Sequence, residues 1–143
     1  MKKYLYFSLS IIFVGTSLFL YIYREQNLVD VMDIDRVEKI YIVPQNKFYE
    51  EIKPKIADEE TMNKLFVYLN QYRVKLTNKH GWSSDHPSEQ FTLYLVYEDG
   101  NLEIFTFERD VVASTRIYQV VNPPLDYQFI QELEREIKSD ENK

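Results

Sequence analysis

The sequence predicts an α+β protein. An N-terminal transmembrane helix is followed by an antiparallel sheet of about five to six strands, with two amphipathic helices on one face. Three observations lead to this fold class. The chain begins with a long, uncharged, apolar run. Short β-branched and aromatic segments separated by turns come next, which favours antiparallel pairing. Two later segments repeat apolar residues at intervals of three and four, as one buried helix face requires.

The apolar run Tyr4–Tyr23 is predicted to be a membrane anchor, because it contains no charged residue and no proline. A helix of that length rises about 30 Å, which matches the hydrocarbon core of a bilayer. Lys2 and Lys3 precede the run, and Arg24 follows it. The basic N-terminal flank favours a cytoplasmic N-terminus and export of everything after the run.

The alternative interpretation is a cleaved signal peptide with Gly15 and Ser17 at the cleavage site. That cut would leave Leu18–Tyr23 as an exposed apolar N-terminus, so an uncleaved signal-anchor is favoured. A lipoprotein is excluded because the chain has no cysteine. The expected location is therefore a cell membrane, crossed once, with the C-terminal domain outside the cytoplasm.

The remainder of the chain is acidic. All 23 Asp and Glu residues lie after Arg24, against 14 Lys and Arg, so this part carries a formal charge of −9. That balance argues against nucleic acid or anionic lipid headgroups as broad partners of the domain. Only three glycines occur, which disfavours a phosphate-binding glycine-rich loop. We expect an anchor over residues 1–24, an acidic tether over 25–36, an extracytoplasmic domain over 37–138 and a frayed tail over 139–143.

The first half of the domain is predicted to contain two strands and a helix. Val37–Val43 is β-branched and aromatic, as strands are. Glu50–Ile56 is a poorer strand that contains a proline and is therefore expected at an edge of the sheet. Asp58 is a good helix N-cap, and the apolar spacing after it predicts a helix that ends near Gln71.

The second half is predicted to contain four strands, a long loop and a helix. Tyr72–Leu76 alternates apolar and basic residues, as a half-buried strand does. Asn78–Glu89 is a polar loop. A hairpin follows, with strands Phe91–Tyr97 and Leu102–Arg109 joined around an Asp-Gly turn. Ala113–Val121 is the last strand, and a helix after two prolines carries the apolar stripe Phe129, Ile130, Leu133 and Ile137.

With the hairpin joined around Asp99-Gly100, its apolar residues are predicted to divide between the two faces of the sheet. The expected division places Phe91, Leu93, Leu95, Tyr97, Leu102 and Ile104 on one face and Tyr94, Phe105 and Phe107 on the other. Because the helices cover only one face, the second is expected either to remain open as a contact surface or to be covered by an edge strand.

The candidate binding site combines the polar loop with the basic strand before it. The loop contains both histidines and the only tryptophan of the chain, and the segment 61–84 has four cations and no acidic residue. Tryptophan is enriched among binding hot spots, and loops often carry function. The predicted partner-binding residues are Arg73, Lys75, Lys79, His80, Trp82, Asp85 and His86.

No catalytic, cofactor or metal site is predicted. His80, Asp85 and His86 are the residues on which a metal-assisted hydrolase would depend, but metal sites need three or four ligands on rigid elements. A nucleophilic serine would need an oxyanion hole, which this glycine-poor context does not suggest. An inhibitor or immunity-type domain is a further alternative.

Three short motifs carry a resemblance to a known group of proteins. They are the strand Ile40-Tyr41-Ile42, the helix start Asp58-Glu59-Glu60 and the hairpin Tyr97-Glu98-Asp99-Gly100. With the anchor, they make residues 34–110 resemble small membrane-anchored Firmicutes proteins whose extracytoplasmic domains have no assigned function. The resemblance implies a bacterial, extracytoplasmic and non-enzymatic domain, and it supplies no catalytic residues. Our leading hypothesis is that this domain binds an envelope protein or a cell-wall component, with the membrane contacted through Tyr4–Tyr23.

Overall fold

The computed structural model describes residues 2–44, 55–122 and 124–140. Four α-helices and eight β-strands lie within these residues. The helices are α1 Lys2–Ile22, α2 Leu28–Val31, α3 Glu59–Leu69 and α4 Tyr127–Asp140. The strands are β1 Glu25–Asn27, β2 Val37–Pro44, β3 Lys55–Ile56, β4 Arg73–Leu76, β5 Gln90–Tyr97, β6 Leu102–Glu108, β7 Val111–Ala113 and β8 Ile117–Val120.

All strands belong to one antiparallel sheet in the order β1-β4-β8-β7-β6-β5-β2-β3. The predicted α+β class and antiparallel sheet are confirmed, but the strand number was too low. Two strands were missed: β1 lies in the predicted tether, and β7 precedes the predicted last strand. The predicted second strand is described only at its end, as the two-residue edge strand β3. Its earlier part lies outside the described residues.

The helices α3 and α4 contribute to one hydrophobic core with the strands. Asp58 caps α3 as predicted, because its Oδ1 accepts a hydrogen bond from the Thr61 N–H at 2.7 Å. Leu65 and Leu69 of α3 and Ile130 of α4 are completely or almost completely buried in that core. Tyr68 and Phe129 stack at 4.2 Å between ring centroids, which joins the two helices side by side. Both predicted amphipathic helices are therefore present.

Residues 25–36 are part of the domain and not the acidic tether that the sequence predicts. β1 pairs with β4 at the sheet edge, and the Leu28 N–H donates to the Tyr72 carbonyl at 3.0 Å. Leu28 and Met32 are fully buried in the core. The prediction of a tether was wrong because it gave the acidic residues of this segment more weight than its apolar residues. The apolar residues form the buried side of α2.

A buried tyrosine attaches α2 to the hairpin. The Tyr97 hydroxyl donates to the Met32 carbonyl at 2.9 Å and lies 3.2 Å from the Glu103 Oε2. Burial raises the pKa of Tyr97 above its usual range, so the phenol stays protonated and able to donate. The contact joins residues that are 65 positions apart in the chain.

In the hairpin, β5 ends at Tyr97 and β6 begins at Leu102, as predicted, but the pairing register differs by one residue and this reverses the faces of β6. Val96, rather than Tyr97, pairs with Leu102, and Gly100 in the connection has φ +80°. Leu93 therefore lies opposite Phe105. Because side chains alternate along a strand, a shift of one residue moves every side chain to the other face. The predicted division was wrong for β6.

Phe105 and Phe107 are consequently in the helix-covered core, where both are almost completely buried. Phe107 stacks on Phe91 at 4.6 Å between ring centroids. The opposite face of the sheet carries Tyr94 with Leu102 and Ile104, which are 57% and 43% exposed. This outer face is partly open within the described residues.

The helix α1 has 21 residues, and its apolar side chains are exposed. Among the residues that the structure describes, no helix is both long enough and apolar enough to cross a membrane.

The burial of α2 predicts a large effect of Met32→Ala. Truncating a fully buried methionine removes apolar contacts and leaves a cavity, so we expect the free energy of unfolding to fall by about 2–4 kcal/mol. Urea unfolding of the full chain in mild non-ionic detergent, followed by circular dichroism, measures this. Asp30→Ala, an exposed change in the same helix, should stay within about 0.5 kcal/mol of the wild type. Equal effects of the two changes would contradict a folded 25–36 segment.

The loop conformation predicts that Gly100→Ala is destabilising by about 1 kcal/mol, because a residue with a Cβ is strained at positive φ. No atom lies within 4 Å of the Cβ that the change would add, so strain is the only cost. Gly81→Ala is the matched control, since its Cβ also meets no atom within 4 Å and its φ is not positive. The same urea experiment compares them, and a neutral Gly100→Ala would refute the assigned loop.

Candidate functional site

The polar loop 78–89 is held on the outer face of the sheet by one buried carboxylate. Glu108, at the end of β6, is only 3% exposed. It accepts hydrogen bonds from the Ser84 hydroxyl at 2.5 Å and from the N–H groups of Asp85 and His86 at 2.9 and 2.7 Å. A buried carboxylate is costly unless donors surround it, and here all three donors come from the loop. Glu108 therefore fixes the path of residues 84–86.

An ion pair closes the C-terminal end of this loop. The Arg109 guanidinium donates from Nε and Nη2 to the two carboxylate oxygens of Glu89, the second at 2.7 Å. This bidentate contact lowers the pKa of Glu89 from its usual value. The loop is thus attached to two successive residues, Glu108 at the end of β6 and Arg109 directly after it.

The other end of the loop borders a pocket of about 560 Å³. Thr77 positions it, because both its N–H and its hydroxyl donate to the Ile117 carbonyl at 2.9 Å. The pocket lies between this end of the loop and the turn between β7 and β8, and Tyr23 also lines it. Since Tyr23 directly follows α1, the pocket adjoins the end of that helix.

Three of the predicted site residues line this pocket. Lys79 and His80 are exposed, and Trp82 is half-buried. The sequence analysis missed Tyr23 and Arg116, which line the same pocket. No local pattern indicates them, because they come close to the loop only through the pairing of β1, β4 and β8.

The remaining predicted site residues lie elsewhere. Arg73 and Lys75 are exposed on β4 and do not line the pocket. The Arg73 Nε lies 3.6 Å from the Glu25 Oε2, so Arg73 has a neighbouring carboxylate across the sheet. Asp85 and His86 take part through their backbone N–H groups, which bind Glu108. The seven residues therefore do not form one site.

The pocket is electropositive in an acidic domain. Among the described residues that line it, none is an aspartate or a glutamate. Within the described part of the chain, neither Lys79 nor Arg116 has a carboxylate oxygen within 4 Å. An anionic group in this pocket would lie near two cations, Lys79 and Arg116, with no described carboxylate competing for them.

No metal-binding arrangement occurs among the described residues. There, no group of three or more His, Cys, Asp or Glu side chains is placed to hold a metal ion. His80 and His86 are therefore not joined with Asp85 in the set that a metal-assisted hydrolase would need.

A groove of about 840 Å³ lies between α3 and α4, away from the predicted site. Lys64 borders it and is engaged by two carboxylates, Glu60 at 3.1 Å and Glu136 at 3.0 Å. Hydrogen bonds to these carboxylates, that to Glu136 foremost, raise the pKa of Lys64. The lysine of this groove is already paired, so the pocket beside α1 is the better candidate site.

The contacts of Glu108 predict that Glu108→Gln loosens the loop. Glutamine keeps one acceptor oxygen in place of two, and its NH₂ group can satisfy only the Ser84 hydroxyl, so the contacts with the loop weaken and the free energy of unfolding should fall by about 1–3 kcal/mol. Hydrogen exchange should become faster at the amides of Asp85 and His86. Glu98→Gln, a change of an exposed carboxylate in the hairpin loop, is the control. Unchanged exchange at both amides would contradict this role for Glu108.

The chain matches no protein-family model, no curated protein and no solved structure. The resemblance to small membrane-anchored Firmicutes proteins therefore rests on the three short motifs alone.

Proposed function

We propose that this chain is a bacterial membrane protein, attached through α1, whose α+β domain is a non-enzymatic binding domain outside the cytoplasm. The observation that carries the proposal is the surface of α1. Phe7, Ile12 and Phe13 are each more than three-fifths exposed, and so are other apolar side chains along the helix. In water such a surface is unfavourable, whereas a lipid environment would bury it.

The hydroxyl groups of α1 support insertion into lipid. Ser8, Ser10 and Thr16 each donate to the backbone carbonyl four residues earlier, at 2.8–3.0 Å. In hydrocarbon every polar group must find its partner within the protein, and these three do so within the helix itself.

The flanking residues support the single-pass orientation. Lys2 and Lys3 precede the apolar run, and all 23 acidic residues follow it. A basic flank is retained in the cytoplasm, so the acidic domain would be exported. Tyr4, Tyr21 and Tyr23 lie near the two ends of the run, at the level where aromatic rings prefer the headgroups.

The pocket beside α1 supports a binding role for the exported domain. It combines the half-buried Trp82 with Lys79 and Arg116, which have no carboxylate partner among the described residues, and such aromatic and cationic groups are typical of recognition surfaces. The partner class we propose is an envelope protein or a cell-wall component. No observation on the described residues favours a metal-assisted hydrolase or an inhibitor domain, so we propose neither.

Cell fractionation tests the attachment. The wild-type protein should stay in the membrane pellet after alkaline carbonate washing. The Ile12→Lys/Phe13→Lys variant should leave it, because a lysine at the centre of a span costs about 3 kcal/mol. The Val67→Lys/Leu102→Lys variant replaces two exposed apolar residues of the domain and should remain in the pellet. Release of the wild type by carbonate would refute the proposal.

The absence of cysteine makes the orientation testable with single introduced cysteines. Glu132→Cys, on the exposed side of α4, should react with an impermeant maleimide in intact cells. A cysteine inserted after Met1 should react only after lysis. Reaction of both in intact cells, or of neither, would contradict a single pass with the domain outside.

A further inference from the structure

We propose that the domain docks on the anionic headgroups of the membrane that holds α1, through Arg24, Lys79, Arg116 and Trp82. This inference rests on the proposed membrane attachment and specifies what the pocket beside α1 binds. It concerns the lipid surface itself and not a soluble phosphate compound.

The short connection between helix and sheet brings the pocket to the membrane. Only Tyr23 and Arg24 separate Ile22, the last residue of α1, from Glu25, the first residue of β1. Such a link spans at most roughly 10 Å. β1 is paired with β4, so the link cannot lengthen without loss of strand pairing. If α1 is inserted, the end of the domain that carries Tyr23 therefore lies at the headgroup level.

The charges at that end differ from those of the rest of the domain. Several cations elsewhere in the domain are matched: Arg36 binds Asp33 and Asp99, and Arg109 binds Glu89. The part of the chain after Arg24 carries a formal charge of −9, so an anionic membrane would repel it as a whole. A set of unmatched cations at the membrane-facing end offsets that repulsion.

Arg24, Lys79 and Arg116 provide this set. Lys79 and Arg116 line the pocket, and neither has a carboxylate within 4 Å among the described residues. Arg24 lies with its Cζ 4.2 Å from the centre of the Tyr21 ring, so it stacks on an aromatic residue near the end of α1. A basic side chain near an anionic surface contributes roughly a fivefold gain in binding.

Trp82 supplies the apolar part of the contact. It is half-buried at the pocket, next to two exposed cations. Tryptophan prefers the boundary between headgroups and acyl chains, because its ring is apolar and its N–H needs a polar partner. A partly exposed tryptophan flanked by unmatched cations fits an anionic bilayer surface better than it fits a soluble anion.

The only tryptophan of the chain is also the probe for the test. The full-length protein is reconstituted into vesicles of phosphatidylcholine alone or of equal parts phosphatidylcholine and phosphatidylglycerol. Lipids brominated near the headgroup then quench the fluorescence of Trp82 if it contacts the bilayer. We expect strong quenching in the anionic vesicles, weak quenching in the neutral ones, and a decrease with added salt.

Removing the cations should abolish the difference between the two vesicle types. In Lys79→Gln/Arg116→Gln the ratio of docked to free domain should fall about fivefold for each cation lost. Lys39→Gln/Arg135→Gln removes the same charge from exposed positions outside the pocket and should quench like the wild type. Circular dichroism confirms that each variant is folded.

Two outcomes would overturn the inference while the attachment stands. One is equal quenching in neutral and anionic vesicles, and the other is unchanged quenching in Lys79→Gln/Arg116→Gln. A photo-crosslinker at position 82 that captures a protein in native membranes, without lipid quenching, would also overturn it and would identify a protein partner. Failure of the wild type to float with vesicles of either kind would instead refute the membrane attachment.

Discussion

The burial of Leu28 and Met32 is the constraint on which the rest of the structure depends. Leu28 and Met32 occupy the core with no exposed surface, and this holds β1 against β4 at the sheet edge. Burial of two such side chains contributes about 3–6 kcal/mol of apolar stabilisation. Net domain stabilities are about 5–15 kcal/mol, so this is a large share. Without it the sheet would end at β4, and α1 would be joined to the domain by a loose dozen residues.

A second constraint acts on the opposite side of the sheet. Glu108 is charged, yet its position on β6 is almost fully buried, so the loop must bring donors to it. The loop has no secondary structure of its own over residues 78–86 apart from bends. Its order therefore depends on contacts with β6 and, at the other end, on Thr77 and Ile117. The candidate pocket is built between these two attachments.

Local patterns in the sequence were enough to predict the helices. The cap at Asp58 and the spacing of Leu65 and Leu69 are properties of one continuous segment, and the structure confirms them. The hairpin shows where such reasoning stops. An Asp-Gly pair is compatible with more than one pairing register, and a shift of one residue is enough to transfer Phe105 and Phe107 to the other face.

The site was less accessible to prediction than the fold. Lys79, His80 and Trp82 were found because they are close together in the sequence. Arg116 was missed because only the pairing of β4 with β8 brings it to the loop. Strand alternation places Glu103 and Glu108 on opposite faces of β6, but the sequence does not show which of the two is buried. Which of them is buried depends on the register of β6 and on the course of a loop that ends nineteen residues earlier.

The direct passage from α1 to β1 has a mechanical consequence. A flexible tether would absorb any tilt or rotation of the helix, but here the helix is followed after two residues by a paired strand. Torque or tension on α1 would act first on the three residue pairs between β1 and β4, which are at the edge of the sheet and can separate one after another. The edge strand would therefore be the part of the domain that senses, and first yields to, movement of the helix in its surroundings.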